Sequence, residues 1–139
     1  MKMMWIIYAL IGMVCLGVMT LIFKKLLEMG LKPELVLVFI FGFGMLFYLL
    51  QVVVTKTMLN INWNIIFLLA LAAFLSYVGN LFTLKSLALT PNPGYTQAIV
   101  SLNIAFITLA SILLFGSKIT LIKGAGVVCA IIGLILLAL

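Results

Sequence analysis

The chain contains no histidine, no aspartate and no arginine, and its only carboxylates are Glu28 and Glu34. These absences exclude most chemistry. A Ser-His-Asp or Cys-His nucleophile system cannot be assembled from one such chain. A metal centre is equally short of ligands, because Cys15 and Cys129 are far apart in sequence and lack imidazole or carboxylate neighbours. No glycine-rich phosphate loop ending in Gly-Lys-Ser or Gly-Lys-Thr occurs. The composition therefore predicts no enzyme, no metal and no cofactor. Eight lysines give a formal charge of +6, but they are scattered along the chain. A nucleic-acid surface needs clustered cations, so no nucleic-acid partner is expected.

What is present is apolar. Of 139 residues, 68% are hydrophobic and 7% charged, with a mean hydropathy of +1.50. A soluble domain carries about 25% charged residues, and a chain this short could not hide so much apolar surface from water. The expected setting is a bilayer, with the cell (inner or plasma) membrane as the host. Spanning helices need about 20 mostly apolar residues. Five such stretches occur, at about 4–23, 33–54, 63–84, 93–115 and 120–139. The first is too long for a signal-peptide core and lacks an A-x-A cleavage pattern, so it reads as a retained span. The fold class expected is an all-α membrane protein, one five-helix domain over residues 1–139, with no room for a separate soluble domain.

Punctuation supports these spans. Gly30 suits the end of the first helix, and Pro33 with Glu34 suits the first turn of the second. Asn92, within Thr90-Pro91-Asn92-Pro93-Gly94, suits the N-cap of the fourth. Trp5, Trp63 and Tyr95 fall near span ends, where amphipathic rings favour headgroups. Five spans put the termini on opposite sides. Lys2, Lys56, Lys118 and Lys123 then lie on one side, and Lys24, Lys25, Lys32 and Lys85 on the other. Orientation follows lysine and arginine bias in short loops, and here four balance four.

Polar residues inside the spans are the candidate site, since groups at that depth must face partners or a cavity. Ser76, Gly79, Asn80 and Thr83 form one stripe of the third span at helical spacing. In the fourth, Gln97, Ser101 and Thr108 share a face, with Thr96 and Asn103 on another, which places this helix centrally. Asn103 lies mid-span, where it can bond a substrate or a neighbouring helix. Tyr8, Gly12, Cys15 and Met19 share a face of the first span, with Tyr8 able to stack on a substrate or simply pack. Gly126, Ala130 and Gly133 make a small-residue groove on the last span, suited to helix contact within the chain or across a dimer. Lys24 ends the first span, able to snorkel or to meet an anion at a cavity mouth, with Glu28 as its expected i+4 partner.

The chain resembles a single EamA-type repeat of the drug/metabolite transporter superfamily. The resemblance rests on Gly17, Lys24, Gly30 and Pro33 in the first helix and loop. It continues through Leu87-Ala88-Leu89-Thr90, Gly116 ahead of Lys118, and Gly126 with Gly133 in the last span. The glycine pair is also similar to the dimerising pair of the small multidrug resistance branch. Where the repeat often has Trp before the first-helix Gly, this chain has Leu16; Asn103-Ile104 replaces a Glu-Pro pair, and Ser117 a Glu. No carboxylate stands near Val14, where that branch uses one. Ten-helix relatives hold two inverted repeats in one chain, so the resemblance implies half of an inverted-repeat secondary transporter. It implies a small organic metabolite or drug-like substrate, moved by alternating access in a dimer. The dimer would be an antiparallel homodimer, which the balanced lysines permit, or a heterodimer with a sibling chain. A different reading is a non-transporting membrane anchor or assembly subunit of a larger complex.

Overall fold

In a computed structural model, residues 4–57, 62–116 and 120–138 are described. Lys2, Ser117, Lys118 and Leu139, and the side chains of Trp5 and Lys123, lie outside the described residues. Every regular element among the described residues is helical: α1 (Met4–Glu28), α2 (Pro33–Thr55), α3 (Trp63–Leu89), α4 (Pro93–Ser101), α5 (Asn103–Phe115) and α6 (Leu121–Ala138). Four stretches are long and apolar enough to cross a membrane, the fourth being Pro93–Leu114 across α4 and α5, and α6 holds a shorter apolar helix. The protein is an all-α membrane protein.

Helices outrun the apolar stretches that betray them. α1 runs on past Lys24 and Lys25 to Glu28, and α3 past Lys85 to Leu89. Hydropathy marks where hydrocarbon stops, whereas a helix stops where its backbone is capped. At about 1.5 Å per residue, the 27 residues of α3 reach about 40 Å, across the headgroup layers as well as the hydrocarbon. α1 is closed by a Schellman turn. Gly30 has φ +88, its N–H donates to Leu27 O at 3.0 Å, and Leu31 N–H donates to Leu26 O at 3.2 Å. The same two-bond pattern ends α2, with Lys56 at φ 47 taking the position that usually falls to glycine. Pro33 opens α2 with Glu34 in its first turn, and Asn92 Oδ1 accepts from Gly94 N–H at 2.9 Å to cap α4, all as the sequence predicts. Asn62, which the sequence did not single out, caps α3 by accepting from Ile65 N–H at 3.0 Å.

The chain falls into two compact units, residues 1–89 and 90–139. In the first, α1, α2 and α3 pack against one another, and the packing is concentrated at one end. The buried cluster is Phe23, Val36, Leu37, Leu81, Leu84 and Leu87, from the end of α1, the start of α2 and the end of α3. At the opposite end, large side chains such as Tyr48, Phe67 and Trp63 lie bare. Two polar contacts fasten the packed end. Lys24 Nζ donates to Leu87 O at 3.2 Å, satisfying a carbonyl of the last turn of α3 with a cation at the negative end of the helix. Lys85 Nζ stands 3.8 Å from Glu34 Oε1. In the second unit, α6 lies along α4 and α5.

The fourth span is not one helix. Leu102 has ψ −13, and the turn tightens around it: Leu102 N–H donates to Ile99 O, and Ala105 N–H to Leu102 O, both at 3.1 Å and both three residues back. The continuous helix expected over 93–115 is therefore interrupted between Ser101 and Asn103. Neither proline nor glycine marks the place; the flanking serine and asparagine are residue types with weak commitment to helix interiors.

Leu84 is 1% exposed, whereas Leu89 is 88% exposed. In lipid, truncating Leu84 loses packing but little transfer from water. Leu84→Ala is expected to cost less than the roughly 2–5 kcal/mol of soluble cores, and Leu89→Ala close to nothing. Lys24→Met is expected to cost about 1–3 kcal/mol by orphaning Leu87 O. Reversible unfolding in mixed detergent micelles measures all three.

Candidate functional site

The first unit builds a cleft between α2 and α3 of about 500 Å³. α2 contributes Glu34, Leu37, Val38 and Phe41, and α3 contributes Ala73, Ser76, Tyr77 and Leu81. These positions follow from helical spacing, with 34, 37, 38 and 41 on one stripe of α2 and 73, 76, 77 and 81 on one stripe of α3. Buried Leu37 and Leu81 form its floor, while Val38, Phe41 and Tyr77 are exposed walls. Of the residues singled out from sequence, Ser76 lines this cleft. Glu34, Phe41 and Tyr77 were missed as cleft residues. Glu34 carried a signal, as one of only two carboxylates, but its apolar neighbours had none.

The α3 stripe turns largely upon itself. Asn80 Nδ2 donates to Ser76 O at 2.8 Å and to Ser76 Oγ at 3.1 Å, and Thr83 Oγ1 donates to Gly79 O at 2.8 Å. Each bond returns to the preceding turn of the same helix. A donor so occupied is tolerable in hydrocarbon. What the stripe leaves open is the Ser76 hydroxyl hydrogen and the Asn80 carbonyl oxygen.

The second unit is different. Gln97 and Ser101 lie on α4, and Asn103 opens α5 beyond the interruption. None of these three side chains makes a hydrogen bond among the described residues. Gln97 and Asn103 are exposed and Ser101 is half-buried. The face drawn through Gln97, Ser101 and Thr108 assumes an unbroken helix, and the tightened turn at Leu102 intervenes. Thr96, assigned to another face, is buried and bonded.

The remaining candidates are placed as follows. Tyr8 is an exposed residue of α1, 65% accessible, and is not among the residues lining the α2/α3 cleft. Lys24, for which Glu28 was the expected partner, reaches instead across to Leu87 O. On α6, half-buried Gly124, Val127, Ile131 and Leu134 recur at helical spacing on one side, while Gly126, Ala130 and Gly133 are exposed on another. A Cβ built at Gly126 or Gly133 meets nothing within 4 Å. The small-residue groove is thus not the face that α6 uses within its own unit.

Long apolar helices, polar groups confined to helix faces and helix ends, and an open cleft define an integral membrane protein. The sequence profile of the EamA-like transporter family matches residues 3–139, both units together, and the chain belongs to that family. No curated protein and no solved structure matches it significantly.

Because among the described residues Thr83 bonds its own helix alone, Thr83→Val is expected to change stability by no more than about 0.5 kcal/mol. A larger loss in micellar unfolding would mean that the α3 stripe also holds a neighbouring helix.

Proposed function

We propose that this chain is half of a secondary transporter that moves a small organic metabolite or drug-like solute by alternating access in a dimer. The observation that carries this reading is the trio Gln97, Ser101 and Asn103, polar side chains of a membrane span without hydrogen-bond partners among the described residues. Hydrocarbon cannot satisfy them, so water, substrate or other protein has to. An interrupted helix is the kind of element from which inverted-repeat transporters build their sites. The interruption at Leu102 sits within this trio, with Ser101 and Asn103 on either side of it. Within the first unit taken by itself, Ser76 and Asn80 offer a hydroxyl donor and a carbonyl acceptor.

Five spans are half of the inverted-repeat architecture, and the bare face of Gly126, Ala130 and Gly133 suits close helix contact with the other half. That half is a second, antiparallel copy or a sibling chain. The reading as a non-transporting assembly subunit draws on the locally closed α3 stripe. It predicts that Gln97, Ser101 and Asn103 are spent on a partner's helices.

Solvent labelling separates the two. In a background with Cys15→Ala and Cys129→Ala, Ser76→Cys, Asn80→Cys, Ser101→Cys and Asn103→Cys are expected to react with a small water-soluble maleimide in sealed vesicles. Protection of all four in a folded chain would overturn the transport reading. Asn103→Ala is expected to abolish solute flux across proteoliposomes while leaving assembly intact, whereas a structural role would cost assembly first. Gly126→Leu and Gly133→Leu are expected to preserve the helical fold, as a Cβ at either position meets nothing within 4 Å, and to abolish cross-linked dimer in the membrane. Unchanged dimer yields would remove this face from the interface.

A further inference from the structure

We propose that the cleft between α2 and α3 seats one phospholipid of the surrounding bilayer, and that this lipid is a phosphatidylethanolamine. Its ammonium lies on Glu34, its phosphate on Lys85, and one acyl chain along the cleft. The inference is independent of transport and of the trio in the second unit.

Depth is the first argument. Glu34 is the second residue of α2, and Lys85 stands four residues before the end of α3. Both charges are therefore at headgroup level. From there the cleft runs inward past Leu37, Val38 and Phe41 on one wall and Tyr77 and Ala73 on the other. From Leu81 to Ala73 it extends about 12 Å at 1.5 Å per residue. Charge at the interface followed by apolar surface toward the centre is the ordering of a phospholipid. A polar solute crossing at the midplane would need the reverse. The volume of about 500 Å³ lies in the usual range for small-molecule sites. Within the first unit, the exposed Val38, Phe41 and Tyr77 leave the cleft open along its length.

Charge complementarity selects the headgroup. An acyl chain gains little by leaving its lipid neighbours for an apolar cleft, so selectivity has to come from the mouth. There Glu34 and Lys85 are about half-exposed and 3.8 Å apart, a loose pair whose separation sacrifices little. Lys85 Nζ also stands 5.9 Å from the Phe82 ring centroid, within cation–π range, while its distance to Glu34 places it at the mouth. A zwitterion can insert with each charge on its opposite. Ethanolamine brings N–H donors to the Glu34 carboxylate, and choline has none. A purely anionic headgroup satisfies Lys85 but sets its own charge near Glu34. Lys25, Lys32 and Glu28, at the same end of the helices and exposed, add only general attraction for anionic lipid.

The test uses the full chain in bilayers, with Trp5→Phe, Trp63→Phe and a single probe, Phe41→Trp. Quenching by acyl-brominated phosphatidylethanolamine, phosphatidylcholine or phosphatidylglycerol is compared at equal mole fraction. Phosphatidylethanolamine is expected to bind about fivefold or more over phosphatidylcholine, on the scale of one added charge-assisted hydrogen bond. Glu34→Gln is expected to bring that ratio close to one. The same probe at Phe74, an exposed α3 residue outside the cleft, is expected to show no preference. Equal quenching by both lipids at Phe41→Trp, or a preference for phosphatidylglycerol, would overturn the proposal. Should the probe disturb folding, native mass spectrometry of the unaltered chain against Glu34→Gln decides. Phosphatidylethanolamine retained equally by both would also overturn it.

Discussion

In a bilayer each backbone N–H and C=O has to find its partner inside the protein, and this constraint orders the whole structure. It makes every regular element among the described residues a helix. It also concentrates the difficulty at helix ends, where four donors or four carbonyls go unpaired. The ends are accordingly where this chain spends its polar residues. Gly30 and Lys56 wrap the ends of α1 and α2 back on themselves, and Asn62 and Asn92 cap the starts of α3 and α4. Lys24 crosses from α1 to close the end of α3. A side chain that caps a neighbouring helix does two things at once. It satisfies a carbonyl and it fixes which two helix ends lie together.

That dual role explains why the packing of the first unit is lopsided. Apolar side chains are as comfortable in lipid as against one another, so burial alone gives helices little reason to associate. Lys24 on Leu87 O ties the end of α1 to the end of α3, and the buried side chains gather there with those from the start of α2, where Glu34 stands loosely beside Lys85. Away from those contacts nothing comparable draws the helices in, and the large side chains toward the other end remain exposed. The cleft between α2 and α3 starts within this packed end, at Glu34, Leu37 and Leu81, and runs on past it to Phe41 and Ala73.

The spans, their order and several caps were legible in the sequence because each is local. Twenty apolar residues, a proline after a glycine, or an asparagine before a proline act within one or two turns. What was not legible involves distance or degeneracy. Lys24 has Glu28 one turn away, and local reasoning pairs them; its bond to Leu87 O spans 63 residues. Glu34 and Lys85 are likewise remote from each other in sequence. The interruption at Leu102 has no proline or glycine to announce it, because a change of about 30° in one ψ angle from the helical value needs no special residue. The polar stripe of α3 was visible as a stripe, but spacing cannot tell whether an asparagine donates outward or to the preceding turn. The carbonyl and hydroxyl of Ser76 settle that for Asn80.

The contrast between the two units then bears on function more than either unit alone. In α3 the polar groups are mostly discharged on their own helix, so the first unit can meet lipid along much of its length without penalty. In α4 and α5 the groups at 97, 101 and 103 are left without partners among the described residues. An uncompensated polar trio in a span is expensive, so these groups have to meet water, a solute or other protein. In the same unit, a Cβ built at Gly126 or Gly133 of α6 meets nothing within 4 Å. In the second unit the side chains at 97, 101 and 103 therefore keep hydrogen-bonding capacity to offer, whereas those of α3 have largely spent theirs on the preceding turn of their own helix.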